Sequence, residues 1–302
     1  MKIPLALFVY NRLDHTKQTI NHLLKNDLND IVLYIFSDGP LQHDINSVNE
    51  VRQYIRSITD FEEIHIIESS ENIGLACSII NGVSKILDEF DSIIVLEDDL
   101  IVSKYFIDFM KTSLDLYADN PRVMSISGYS LPLFSDDDKI SDTYFLDITT
   151  SWGWATWKKS WALFEKNPDK LINTFTKQDI FNFNINNSEN FWRQVLFNKK
   201  GILNTWAIFW YASIFINRGL TLFPKISMVK NIGHDGTGTN CIKSDRFNTL
   251  LDQNKITYFE KKIEVNNFAK NKLEKFYRST NVNLFRKLLN YLKLRFKSKF
   301  FI

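Results

Sequence analysis

The chain has 302 residues, of which 44% are hydrophobic and 24% charged, with a formal net charge of +2 and two cysteines, Cys77 and Cys241. This is the composition of an ordinary globular protein with room for a sizeable core. It offers no basis for a disulfide framework, a cysteine zinc site or a nucleic-acid partner. No stretch has the roughly 18 apolar residues of a membrane span.

Residues 3–10 read as a first buried strand, too short for a signal peptide, ending at Asn11-Arg12. A helix follows through Ile20, Leu23 and Leu24. Ile31 to Phe36 is a second strand, ending at the turn Ser37-Asp38-Gly39-Pro40. Helical spacing returns over 46–58, a third strand runs over 64–68, and Asn72-Ile-Gly-Leu-Ala leads into a helix over about 75–88. Ile93 to Leu96 is a fourth strand. Strand–helix alternation of this kind predicts a parallel, Rossmann-like sheet. Its strand ends would gather Asn11-Arg12, Asp38 and Glu97 to Asp99.

The fourth strand runs straight into three acids, Glu97-Asp98-Asp99. Adjacent carboxylates repel, and partial desolvation makes that worse unless a cation neutralises them. A divalent metal carrying a polyphosphate answers this need, because Mg²⁺ or Mn²⁺ is held by one or two carboxylates plus phosphates. An acidic turn after a strand is the plainer alternative. There is no G-x-G-x-x-G and no P-loop.

Beyond a helix over about 103–118, residues 123–127 read as a strand and 135–142 as an acidic loop. Next comes Ser151-Trp-Gly-Trp-Ala-Thr-Trp157, whose tryptophans either fill a core or face a ligand. Residues 177–190 read as an exposed loop or loosely ordered segment, 206–217 as a short aromatic helix and 220–229 as a strand around Pro224. His234 and Asp235 follow in a loop with Gly233, Gly236 and Gly238. Residues 283–302 form a basic, helix-like run with six Lys or Arg and no acid. Such a run suits an anionic membrane surface or the protein's own core.

The order Phe-Val-Tyr-Asn-Arg, Phe-Ser-Asp-Gly, Asn-Ile-Gly-Leu-Ala and Val-Leu-Glu-Asp-Asp-Leu resembles the nucleotide-sugar domain of GT-A glycosyltransferases. The likeness is to bacterial family 2-like sugar transferases and to N-acetylglucosaminyltransferase I, over roughly residues 1–240. The resemblance implies an α/β fold: a mixed, mostly parallel GT-A sheet flanked by helices. Its nucleotide-binding half would be 1–100 and its acceptor half 101–240, followed by a C-terminal amphipathic helical extension over 241–302. It implies Asp99 as a metal ligand, with His234 as a second, for Mn²⁺ or Mg²⁺. Asp98 and Glu97 would serve the ribose, the sugar or the metal shell. Asp38 would meet the base, usually uracil. Asn11 and Arg12 would line the nucleotide site, with Arg12 near the diphosphate. Asn72 and Gly74 would flank nucleotide and sugar, and Trp154 would face the donor sugar and acceptor.

The implied activity is transfer from a nucleotide-diphosphate donor, a UDP-sugar foremost, to a bacterial glycan such as a lipid-linked O-antigen or capsule precursor. The expected place is cytoplasmic, peripheral on the inner membrane face through residues 283–302. One departure matters. Where N-acetylglucosaminyltransferase I has an acid between tryptophans, this chain reads Trp206-Ala-Ile-Phe-Trp210. Either the base lies elsewhere, with Asp147 and Asp235 as candidates, or the reaction is retaining. Two rivals stay open: a non-catalytic binding or assembly protein of the same fold, and a nucleotidyltransferase.

Overall fold

The computed structural model describes residues 2–135, 137–235 and 246–279. The first half alternates as the apolar runs predict: β1 (Ile3–Val9), α1 (Leu13–Leu23), β2 (Ile31–Ser37), α2 (Ile45–Arg56), β3 (Glu63–Glu68), α3 (Gly74–Glu89) and β4 (Ser92–Glu97). The second half contains β5 (Leu100–Val102), α4 (Phe106–Leu116), β6 (Val123–Ser127), β7 (Thr143–Leu146), β8 (Trp154–Trp157) and α5 (Lys158–Trp161). It continues with α6 (Pro168–Thr174), α7 (Lys177–Phe183), α8 (Trp192–Lys199), α9 (Ala207–Ile216), β9 (Leu220–Pro224) and β10 (Val229–Asn231). A further helix, α10, covers 267–279.

Eight strands form one sheet in the order β3-β2-β1-β4-β8-β6-β9-β7. The first four are mutually parallel, β8 runs antiparallel between β4 and β6, β6 and β9 are parallel, and β7 closes the edge antiparallel. The mixed, mostly parallel α/β sheet expected from the sequence is therefore the fold of this chain. Side-chain alternation splits β1 and β4 between two apolar layers. Leu5, Leu7, Ile94 and Leu96 join α1, α2 and α4 on one face. Ala6, Phe8, Ile93 and Val95 join α3 and the tryptophans 154, 161, 206 and 210 on the other. Fully burying one such side chain contributes about 1.5–3 kcal/mol.

Two expectations change. Residues 177–190 are not an exposed loop: α7 is closed by a capping box between Thr176 and Asp179, and Phe183 is fully buried. Asparagine-rich composition hid that helix, whose cap and single anchor hold it. The strand around Pro224 is two strands, because Pro224 ends β9 and the chain turns before β10. Residues 154–157 are a central strand.

The expected boundary at 240 lies outside the described residues, as do residues 283–302. The described part beyond it packs into the same core through Ala269, Leu273 and Tyr277. Among the described residues no helix is long and apolar enough to cross a membrane.

Candidate functional site

The chain turns back on itself between β1 and β4: β2 and β3 lie to one side of β1, and β4 lies on the other. Ligands of open α/β sheets bind at such a switch point, beyond the strand carboxyl ends. Phe8 pairs with Glu97 in register. The residues just past each strand end, Arg12 and Asp98-Asp99, therefore face one another across this point.

Arg12 Nη2 lies 2.5 Å from Asp98 Oδ1 and 2.9 Å from Asp99 Oδ2. Asp98 Oδ2 also accepts from the Tyr10 backbone N–H at 3.3 Å. Thr19 on α1 donates to the Asp98 carbonyl at 2.8 Å, tying the helix after β1 to the acidic turn. Both aspartates are buried. Glu97 is half-buried, and its carboxylate receives no hydrogen bond among the described residues.

The cluster carries more negative charge than one guanidinium offsets. Burial, then Asp99 and Asp98, push the Glu97 carboxyl up to about 8. Burial pushes Asp98 up to about 6 against the opposing pull of Arg12. Burial on its own would lower Arg12, but the two aspartates outweigh it and hold the guanidinium charged.

A second loop closes over this turn. β10 pairs antiparallel with β5, and the Ile232 N–H donates to the Asp99 carbonyl at 2.9 Å. Gly233 then lies so close that a Cβ there would collide with the Asp99 carboxylate and crowd Arg12 Nη1. His234 is the next residue, edge-on to Trp152 with ring centroids 5.3 Å apart. Asp235 sits 3.3 Å from His15 of α1. The structure thus brings together Arg12, Asp98, Asp99 and the loop bearing His234 and Asp235.

The other sequence candidates fall elsewhere. Asp38 is buried at the end of β2, with its carboxylate turned inward. Oδ1 accepts from the N–H groups of Gly39 and Ile73 at 2.9 and 3.0 Å, and Oδ2 from Gly74 at 2.8 Å. It caps α3, so the positive end of that helix is already answered by a carboxylate. Asn72 donates to the Gly39 carbonyl at 2.7 Å. Gly74 has φ +77°, a left-handed geometry that favours glycine. Asp38, Asn72 and Gly74 therefore form one interlocked loop pair. Asn11 donates to Asp44 at 2.9 Å. Asp147 pairs with Lys270 of α10 at 2.5 Å.

Trp154 does not face a ligand. It is 1% exposed, held between β4 and β6, and stacked on Trp206 at 5.1 Å. Strand alternation turns it into the layer beneath α3, and Trp152, two residues earlier, is the one that borders open space.

Two supporting residues escaped the sequence reading. Arg52 of α2 donates to Ser37 Oγ and to the carbonyls of Asp38 and Ser69, locking the ends of β2 and β3. Asp44 accepts from Tyr10 Oη and Asn11. Burial would raise its carboxyl, but those two hydrogen bonds hold it below the usual range. Neither contact has a local sequence signal.

A divalent cation fits this donor set in part. Among the described residues no three His, Cys, Asp or Glu side chains converge into a cage. A cation that arrives with a diphosphate needs only one or two carboxylates, and Asp98 and Asp99 supply oxygen donors of the right hardness. Arg12 Nη1 is buried and has no hydrogen-bond partner. Such an orphaned cationic donor suits a phosphate oxygen.

No family description matches the chain, and no curated protein matches it in sequence. Solved structures of similar backbone include the mannosyltransferase PcManGT from Pyrobaculum calidifontis in complex with GDP-Man and Mn²⁺. It is 10% identical with TM-score 0.40, over 72% of this chain and 69% of that one. S. aureus TarS is 10% identical with TM-score 0.45, over 76% of this chain and 36% of TarS. TarS 1–349 in complex with UDP-GlcNAc gives 10% and 0.41, over 76% of this chain and 58% of that one.

Proposed function

We propose that this chain is a metal-dependent glycosyltransferase that moves a sugar from a nucleoside diphosphate donor, a UDP-sugar foremost, to a glycan acceptor. The observation that carries the reading is the meeting of Arg12 with Asp98 and Asp99 at the sheet's switch point, with Arg12 Nη1 buried and unpartnered. The sequence resemblance to GT-A enzymes supports the same reading.

In this reading Asp99, backed by Asp98, holds Mn²⁺ or Mg²⁺, and His234 is a second ligand from the closing loop. A cation held there would supply Lewis-acid stabilisation of the departing diphosphate. Arg12 offers its free N–H to a phosphate oxygen and stays charged while negative charge grows there. Glu97, on the side of the sheet that carries α3, stands beside the transferred sugar. Asp38, Asn72 and Gly74 shape the loop pair against which the base lies. Both base candidates have a cationic or ionisable neighbour, Lys270 for Asp147 and His15 for Asp235, but Asp235 shares the loop that packs on Asp99. Asp235 is therefore the preferred base in an inverting reaction. A lipid-linked O-antigen or capsule precursor is the proposed acceptor, reached from the inner membrane face through residues 283–302.

Calorimetric titration with UDP, GDP, CDP and dTDP, each with Mn²⁺ and with EDTA, tests the reading. Metal-dependent binding of one nucleotide is expected. Binding of none would transfer the weight to a non-catalytic protein of this fold, a reading favoured by Ala207 standing where an acid is expected. A nucleotidyltransferase is disfavoured by Asn11-Arg12 after β1, where a glycine-rich loop would be needed.

A further inference from the structure

Next to the carboxylate site lies a cavity of about 280 Å³. It is bounded by the segment before β8, by α8 and by the start of α9. Half of the lining residues are aromatic, among them Tyr129, Trp152, Trp206 and Tyr211. No described side chain that lines it is charged.

Of its hydroxyl groups, those of Thr149 and Thr150 are bonded to Ser125 and Ser127 behind the wall. Tyr129 and Tyr211 have already given their hydroxyl protons to the carbonyls of Phe247 and Phe183, at 2.8 and 3.0 Å. Ser151 and Gln194 line the space and make no side-chain hydrogen bond to the described residues. Trp210, also in the wall, has a buried indole N–H with no partner. The cavity communicates with the carboxylates by direct contacts: Trp152 meets His234, and Gly233 lies against Asp99.

An occupant must therefore have an apolar face for the rings, a few hydrogen-bonding groups at its edge, and no charge. An ion in such a pocket would lose its hydration without a partner. The volume is just below the roughly 300–1,000 Å³ of ordinary ligand pockets, which suits one ring. A pyranose has this character: a C–H face and a hydroxyl rim.

We propose that this cavity seats one uncharged sugar ring, a neutral hexose, deoxyhexose or N-acetylhexosamine, and rejects uronic and sialic acids. The assignment deepens the glycosyltransferase reading and rests on it for what happens to the ring. The ring is either the acceptor's terminal sugar or the donor's transferable one.

Saturation-transfer NMR on the full chain tests this with methyl glucoside, methyl N-acetylglucosaminide, methyl glucuronide and uridine as probes. Transfer to the ring protons of a neutral glycoside and none to the glucuronide is expected. Ala207→Leu, which fills the cavity from α9, should abolish the signal with an unchanged melting temperature. Trp152→Ala should weaken binding by about tenfold, the value of one stacked ring. Gln194→Lys, on a partly exposed helix face, should admit the glucuronide, and it serves even if Ala207→Leu does not fold.

Displacement of the glycoside by UDP-glucose or UDP-N-acetylglucosamine but not by UDP assigns the ring to the donor. Retention beside all three assigns it to the acceptor. Equal transfer to the glucuronide, no transfer to either neutral glycoside, or a preference for uridine overturns the proposal. If no nucleotide binds while neutral rings still do, the glycosyltransferase reading fails and the sugar pocket stands.

Discussion

Arg12 Nη2 lies 2.9 Å from Asp99 Oδ2, joining the end of β1 to the turn after β4. The pair is largely buried, and removing one member of a buried pair leaves the other uncompensated, at a cost of about 3–5 kcal/mol. Arg12→Met is expected to lower stability by that order in urea unfolding. Added Mn²⁺ should then restore more stability to this variant than to the parent, because a cation answers the same charge. Stabilisation of neither protein by Mn²⁺ would show that the aspartates do not bind it.

Asp38 separates a structural from a binding role. Its carboxylate accepts from the N–H of Gly39 and from two N–H groups at the start of α3, those of Ile73 and Gly74. Asp38→Ala should therefore cost about 1–2 kcal/mol, as loss of a helix cap does. Asp38→Asn, which keeps one acceptor oxygen, should cost less. A residue that served only the base of a nucleotide would leave the urea midpoint unmoved in both variants.

The parallel half of the sheet was legible because each strand is an unbroken apolar run bounded by turn residues, and because polar residues stand where the strands end. That placed Arg12 and Asp98-Asp99 at one site. What stayed hidden depends on contacts far apart in the chain. Asp38 meets its cap partners 35 and 36 residues later. Arg52 bridges two strand ends from the middle of a helix. The four residues Trp154–Trp157 are too few for periodicity to separate a central strand from an aromatic loop. Gly153, with φ +62°, marks the turn that sends Trp152 toward the cavity and Trp154 into the core.

That divergence makes the two tryptophans opposite in kind. Trp154→Ala would empty a fully buried site and should cost about 3–5 kcal/mol. Trp152 is half-buried against Tyr129, His234 and Phe247, and Trp152→Ala should cost about 1 kcal/mol. Thermal unfolding of both variants checks the order. A larger loss at Trp152 would mean that it, and not Trp154, is the core residue.

Gly233 offers the sharpest probe of the closing loop. Any side chain there meets the Asp99 carboxylate and Arg12 Nη1, both fixed by their ion pair. Gly233→Ala must therefore push the loop bearing His234 away from the acidic turn. A backbone bond from Ile232 joins the loop to that turn, and the eight-stranded sheet does not include the loop, so the sheet should keep its stability. Positioning is another matter: a shift of about 1 Å at a reacting site is worth roughly a hundredfold. Turnover by Gly233→Ala should fall by about that factor, and metal-dependent nucleotide binding should weaken with an unchanged melting temperature. Parent-like affinity in a folded variant would mean that the loop takes no part in holding the diphosphate.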